Sequence, residues 1–197
     1  MGVIELTELE SDCLKEMANV GGGHAVGVLS QLLDQHVNLN VPSVTYTSVD
    51  ESGESGEKLV VVYSPIESEG VLGNVMLTIP WESFVELKRA VNNEVGEDIS
   101  NEEKEYFTRV GEAVINSYAE ALNNFLSMDL RSKDSSLVIS SANAYVKQLI
   151  KEYAHSTLVV SVGFSINEPP IKGQLEFSLV PNQVGYLLQK IRQQFGM

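Results

Sequence analysis

The chain carries the same succession of elements twice, which limits its fold more than any other feature. Leu59-Val60-Val61-Val62-Tyr63 has the β-branched content of a buried strand. Gly73-Asn74-Val75-Met76-Leu77-Thr78-Ile79-Pro80 reads as its partner, stopped by Pro80, and a helix is predicted from about Trp81 to Asn92. One hundred positions on, Leu158 to Val162 and Gly173 to Leu179 repeat the two strands. Pro181 then opens a helix with Val184, Leu187, Leu188 and Ile191 on its apolar side. Two long helices repeat as well. His24 to Leu29 aligns with Ser117 to Leu122, at a spacing of 93. The expectation is an α+β fold with a pseudo-twofold internal duplication, its strands joined in one antiparallel sheet and two long helices on one face. Residues 1–197 would form a single domain, with repeat 1 at about 8–95 and repeat 2 at about 101–197. The acidic run Asp50 to Glu57 reads as a solvated, mobile loop, and Asn93 to Asn101 as a connector leading to an N-cap at Ser100.

Charge and cysteine content narrow the functions. Thirteen Lys and Arg against 27 Asp and Glu give a formal net charge of −14, which repels nucleic-acid phosphates and anionic membrane. A lone cysteine, Cys13, excludes an internal disulfide and suits a reducing compartment. No apolar run approaches the roughly 20 residues of a membrane span, and the start lacks a signal-peptide pattern. A cytoplasmic protein is expected, binding neither nucleic acid nor membrane.

The first long helix has an unusual outer face. At about 100° per residue, Leu14, Met17, Ala18, Gly21, Ala25, Val28, Leu29 and Leu32 form the core stripe. Asp12, Glu16, Asn19, Gly23, Gly27 and Ser30 form one file opposite it. Three successive glycines, Gly21 to Gly23, would cost a helix interior roughly 3 kcal/mol. One reading is a kink or a break. The other is that Gly21 permits a close helix crossing while Gly23 and Gly27 let another molecule's backbone approach.

The second helix shows what an ordinary face looks like. Phe107, Val110, Val114, Tyr118, Ala121, Leu122 and Phe125 form its stripe, with Arg109, Glu112, Asn116, Glu120 and Asn123 outside. Arg109 stands where the first helix has Glu16, Glu112 where it has Asn19, and Asn116 where it has Gly23. Arg109 and Glu112, three apart, are placed to pair.

Asp12-x3-Glu16-x2-Asn19-Val20-Gly21-x-Gly23-His24 resembles the signature of the CheC-like chemotaxis phosphatases, the CheC/CheX/FliY family. The resemblance continues through Leu29 to Leu33, the Pro42 strand and the Ser117-Tyr118-x-x-Ala121-Leu122 run, and so covers the whole chain as a single CheC-like domain. It implies a phosphatase that hydrolyses the aspartyl phosphate of a CheY-type receiver, with Glu16 and Asn19 as the catalytic pair. It implies no metal or cofactor in this chain, because Mg²⁺ is held by the receiver. Asp12, Gly23, Gly27 and Ser30 would dock the partner. Arg109 and Glu112 depart from the E-x-x-N pattern, so the second site is expected to be degenerate. A register shift to Glu112 and Asn116 gives E-x-x-x-N, which misdirects the pair by a residue step.

The resemblance also implies two non-enzymatic alternatives: an adaptor binding the receptor deamidase CheD or a receiver, and a structural piece of the flagellar switch. The second is disfavoured by the lack of a further C-terminal domain in this sequence. Other residues read as structural. Cys13 and His24 sit on the helix flank in packing or hydrogen-bonding roles, and His24 has no metal spacing with His36 or His155. The Gly-Gly-Gly-His run lacks the Gly-Lys-Ser/Thr of a phosphate loop. Trp81 is expected to anchor the core.

Overall fold

The computed structural model describes residues 6–48, 56–68, 71–92, 98–141, 144, 156–179 and 181–196. Most of the acidic run expected as a loop, residues 50–55, and the connector's residues 93–97 lie outside this set, as does His155. The elements are α1 (Glu8–Leu33), β1 (Asn38–Leu39), β2 (Ser43–Ser48), β3 (Lys58–Ser68), β4 (Val71–Pro80) and α2 (Trp81–Asn92). In the same order follow α3 (Asn101–Leu126), β5 (Arg131–Ser132), β6 (Ser136–Ser141), β7 (Ser156–Ile166), β8 (Ile171–Leu179) and α4 (Pro181–Phe195).

The duplication extends to the helix caps. α1 and α3 are each 26 residues long and each opens on a capping box. In α1 the Thr7 hydroxyl accepts from Glu10 N while the Glu10 carboxylate accepts from Thr7 N. In α3, Ser100 and Glu103 make the same exchange. Such a cap is worth about 1 kcal/mol. Ser100 is the N-cap its sequence context suggests, and the Thr-x-x-Glu spacing at Thr7 carries the same signal. Both helices end on a left-handed residue, Asp34 at φ 50° and Ser127 at φ 51°.

The eight strands of the described residues join one antiparallel sheet, in which β4 and β8 pair centrally with Met76 opposite Glu176. These residues are one hundred positions apart, so the pseudo-twofold axis passes between them. The halves also exchange edges. β1 and β2 of the first half pair with β7 of the second, and β5 and β6 of the second pair with β3 of the first. Adjacent repeats in the sequence therefore interlock in space, which the element order alone did not reveal.

Side chains from α1, α2, α3 and α4 and one face of the sheet form a single buried cluster, including Leu14, Phe84, Val160, Leu175, Tyr118 and Leu187. Leu59, Val61 and Met76 form a smaller cluster of their own, with Tyr63 and Val138 against it. The stripe read for α1 needs correction at its C-terminal end. Leu32 is exposed and Val28 half-buried, whereas Val26 and Gly22 are buried. On α3, Val110 and Phe125 are half-buried, and Gly111 and Ile115 take core positions. Trp81 packs against the core beside Phe84, with the Lys58 ammonium 3.2 Å from its ring centroid.

The glycine triplet does not break α1, which runs continuously through it. Each glycine meets a different surrounding. A Cβ on Gly21 would lie 2.7 Å from Tyr118 Cε2, so the bare backbone lets α3 cross close against α1. On Gly22 it would lie 2.8 Å from Val162 Cγ1 and 3.1 Å from Leu39 Cδ1, so this glycine admits β7 and β1. On Gly23, and on Gly27, it would meet nothing within 4 Å.

Two stability predictions follow. Gly21→Ala forces the Tyr118 ring to move, at about 1–3 kcal/mol against a helix-propensity gain of up to about 1 kcal/mol, and lowers the melting temperature. Gly23→Ala has only the gain and raises it by about 2–4 °C. Thermal melts moving both variants the same way would refute this division of labour. The second concerns Glu10, a buried carboxylate that also accepts from Arg192 of α4, with the Arg192 Nε 2.9 Å away. The bond from the Thr7 backbone N–H holds its pKa below the ordinary 4.5 in spite of burial, with the Thr7 hydroxyl and Arg192 adding to the effect. A depressed carboxylate stabilises fully above its unfolded pKa, and the benefit is lost as pH falls through the folded one. Glu10→Ala is expected to cost about 1–2 kcal/mol at pH 7, a gap that narrows below about pH 4.5 in melts followed against pH. A gap independent of pH would contradict it.

Candidate functional site

The file predicted on α1 is on the surface. Asp12, Glu16, Asn19, Gly23 and Gly27 are exposed, along one side of the helix from its second turn to its sixth. Residues three or four apart stand about 5–6 Å apart at Cβ, so Glu16 and Asn19 reach out side by side. Neither makes a hydrogen bond or ion pair within the described residues. Lys15, directly before Glu16 in sequence, pairs instead with Asp12 at 3.2 Å, a half-exposed contact of the kind worth under about 1 kcal/mol. The Glu16 carboxylate is therefore the uncompensated charge of this face. Ser30, the last member of the file, is half-buried, and its hydroxyl donates to the Gln35 carbonyl at the helix end.

A cleft of about 400 Å³ opens along the pair, lined by Asp12, Lys15, Glu16 and Asn19 on the helix and by Leu39, Asn40, Val41 and Pro42 on the opposite wall. That wall is the end of β1 and the short link to β2, where the sequence alone offers only a strand near Pro42. Gly22 is the residue that positions it, since Leu39 packs where a Gly22 side chain would stand. The link is pinned further along by Asn40 N donating to the Gly163 carbonyl at 2.8 Å.

The equivalent face of α3 is furnished differently. Arg109 does not pair with Glu112 as its spacing allowed; it pairs with Glu105, one turn earlier, at 2.9 Å. Glu112 is half-buried and takes the carboxamide's place. Where α1 has open space beside Gly23, Asn116 Oδ1 accepts from the Ser132 hydroxyl of β5 at 2.6 Å. Glu120 replaces Gly27. Asn123, the counterpart of Ser30, ties the helix end to the backbone of Leu130. The two file ends thus do one structural job, while the residues between them differ in kind.

The flanking residues carry no chemistry here. Cys13 is half-buried against the core, and burial pushes its thiol pKa up, with Asp12 and Glu10 adding to the effect, so the nucleophilic thiolate is disfavoured. His24 is exposed and makes no hydrogen bond within the described residues, which corrects the packing role expected of it. No group of three or more His, Cys, Asp or Glu gathers into a cation site among the described residues. No helix among them is long and apolar enough to cross a membrane.

Comparison with known proteins bears on this same segment. The model of the CheC-like family matches residues 9–46, which span α1, β1 and most of β2 and so include both walls of the cleft. The CheY-P phosphatase CheC of Bacillus subtilis (strain 168) is 24% identical over 133 residues, covering 64% of this chain and 64% of its own length. The match therefore spans just under two thirds of that relative. Among solved structures, FliY of Thermotoga maritima shares the fold with a TM-score of 0.76 at 18% identity, over 97% of this chain and 100% of that one. The FliM middle domain from H. pylori shares it at 0.63 and 14% identity, over 94% and 99% respectively. The chain is thus similar to the CheC-like family over its site helix and the link opposite, and it shares the α+β fold of FliY and of the FliM middle domain.

Proposed function

We propose that the chain is a cytoplasmic chemotaxis phosphatase of two-component signalling. It would hydrolyse the aspartyl phosphate of a CheY-type receiver through one pair, Glu16 and Asn19. The observation that carries this reading is the contrast between two equivalent helix faces. On α1 the carboxylate and carboxamide are exposed, unpaired and bordered by bare glycine; on α3 an arginine, a carboxylate and a hydrogen-bonded asparagine fill the same places.

The chemistry asks little of such a site. An aspartyl phosphate is an acyl phosphate, and the receiver brings its own Mg²⁺, so this chain supplies no metal or cofactor. What remains is to hold a water in line with the bond to be broken. The Asn19 carboxamide donates and accepts at once and adds no charge beside the phosphoryl group. As water oxygen bonds to phosphorus, the bond to the aspartyl carboxylate breaks; inorganic phosphate leaves and the receiver carboxylate is regenerated. Glu16 would pair with the lysine beside the receiver's phosphorylation site and set the register of docking. Asp12, Gly23 and Gly27 would extend the contact. On α3, Arg109 would meet that lysine with like charge and Glu112 would repel the phosphoryl group.

The rival is a binding module without useful turnover, taking CheD or a receiver as partner. It is favoured by the sharing of this fold with the FliM middle domain, which means the fold alone does not decide activity. Phosphoryl loss from a purified, phosphorylated CheY-type receiver separates the two. The enzyme reading expects acceleration by the wild type and by Glu112→Ala, and a loss of about 10²-fold in Asn19→Ala. Glu16→Ala is expected to weaken receiver binding. Full activity of Asn19→Ala would refute the site. Negligible rates for all variants, with tight CheD binding, would establish the adaptor.

A further inference from the structure

The wall facing Glu16 and Asn19 is more than a boundary. Val41 is 88% exposed, the most exposed large hydrophobic residue in the described chain, and it stands at the rim of the cleft. An aliphatic side chain left in water on a mobile loop would need no explanation. This one is held in place. Leu39, two residues before it, packs in the space left by Gly22. Asn40, directly before it, donates its backbone N–H to Gly163 O, and its side chain lies over the bare Gly163, where a Cβ would stand 2.8 Å from Asn40 Nδ2. Pro42, directly after it, lines the same cleft before β2 begins, so Val41 projects from a short link fixed on both sides.

The second repeat again provides the comparison. The same backbone bond recurs there, from Lys133 N to Pro65 O at 2.8 Å, so the β5–β6 link is anchored in the same way. Its tip is charged: Lys133, Asp134 and Ser135 replace Asn40, Val41 and Pro42. Lys133 is paired with Glu67 at 2.7 Å, and Asn116 closes the space between helix and strand through Ser132. The apolar tip thus occurs beside the helix whose carboxylate and carboxamide are free, and a charged tip beside the helix whose Arg109 is paired with Glu105 and whose Asn116 is bonded to Ser132.

We infer that Val41, with Pro42, is the second half of the docking surface: an apolar anchor that receives an aliphatic or aromatic side chain of the partner while Glu16 receives a basic one. The occupant is a receiver surface that presents these two groups side by side, an assignment that rests on the function proposed above. The charges support it. Lys15 is engaged by Asp12, which leaves Glu16 as the group awaiting a cation, and the opposite wall offers only apolar and amide atoms to whatever flanks that cation. Val41 is a docking residue and touches no reacting atom. Its removal should weaken binding without changing the chemistry of the bound state.

The test measures the affinity for a CheY-type receiver activated with beryllofluoride, together with turnover of the phosphorylated receiver at saturation. Val41→Asp is expected to weaken binding about tenfold or more and to leave saturated turnover unchanged, while Asp134→Ala on the other link alters neither. Because Val41 is exposed, the variant should melt as the wild type does. Unchanged affinity in Val41→Asp would overturn the inference, and would leave the site itself standing if Asn19→Ala is inactive. Full turnover by Asn19→Ala would refute the site, and the binding measurement would then decide Val41 by itself. A wild-type dimer that Val41→Asp converts to a monomer, with receiver affinity intact, would assign the anchor to a second copy of this chain and overturn the inference as well.

Discussion

The seating of the Tyr118 ring against the bare backbone of Gly21 fixes the arrangement of everything else. It brings the two long helices together over the sheet, and their rotation decides which residues face outward. The contact has a cost. The Tyr118 hydroxyl is buried with no hydrogen-bond partner among the described residues, a penalty of about 1–3 kcal/mol, and burial pushes its pKa upward. Close packing of a large ring must offset this. With the crossing set, Gly22 is turned towards β1 and β7 and Gly23 towards solvent. Three identical residues in a row thereby give a helix contact, a sheet contact and an open surface.

Symmetry makes that surface interpretable. The two halves share helix length, capping boxes, left-handed helix ends and the backbone bond that anchors the strand link. Features that agree between the halves are what the fold requires, since each half supplies edge strands to the other. Features that differ are free of that requirement. The differences concentrate on one file of each long helix and on the link beside it. There the first half exposes carboxylate, carboxamide, glycine and valine, while the second carries an arginine paired with Glu105, a half-buried carboxylate and an asparagine bonded to Ser132.

Much of this was legible in the sequence, for identifiable reasons. Strands with β-branched runs, one of them ended by Pro80, and a helix started by Pro181 announce themselves locally, and the spacing between Gly73 and Gly173 exposes the duplication. The outer file of α1 was readable because helical periodicity is rigid over seven turns. The edge exchange was not readable, because pairing β2 with β7 depends on contacts between residues more than a hundred positions apart. Leu32 was misplaced because a helix that leaves the core near its end stops burying its stripe. The Arg109–Glu105 pair shows a second limit: spacing permits both i+3 and i+4 partners without choosing between them. Val41 went unremarked because a lone valine in a short link carries no pattern of its own. It became visible only once Gly22 and Gly163 showed how the link is held.

The central claim is that one of the two equivalent faces is open to a partner and the other is closed. Amide chemical-shift mapping of the chain, titrated with a beryllofluoride-activated CheY-type receiver, tests it most directly. The account predicts saturation at one receiver per chain, with perturbations on α1 from Asp12 to Gly27 and on the β1–β2 link, and none on the outer face of α3. Saturation at two receivers per chain, or perturbations centred on Arg109 and Glu112, would contradict it.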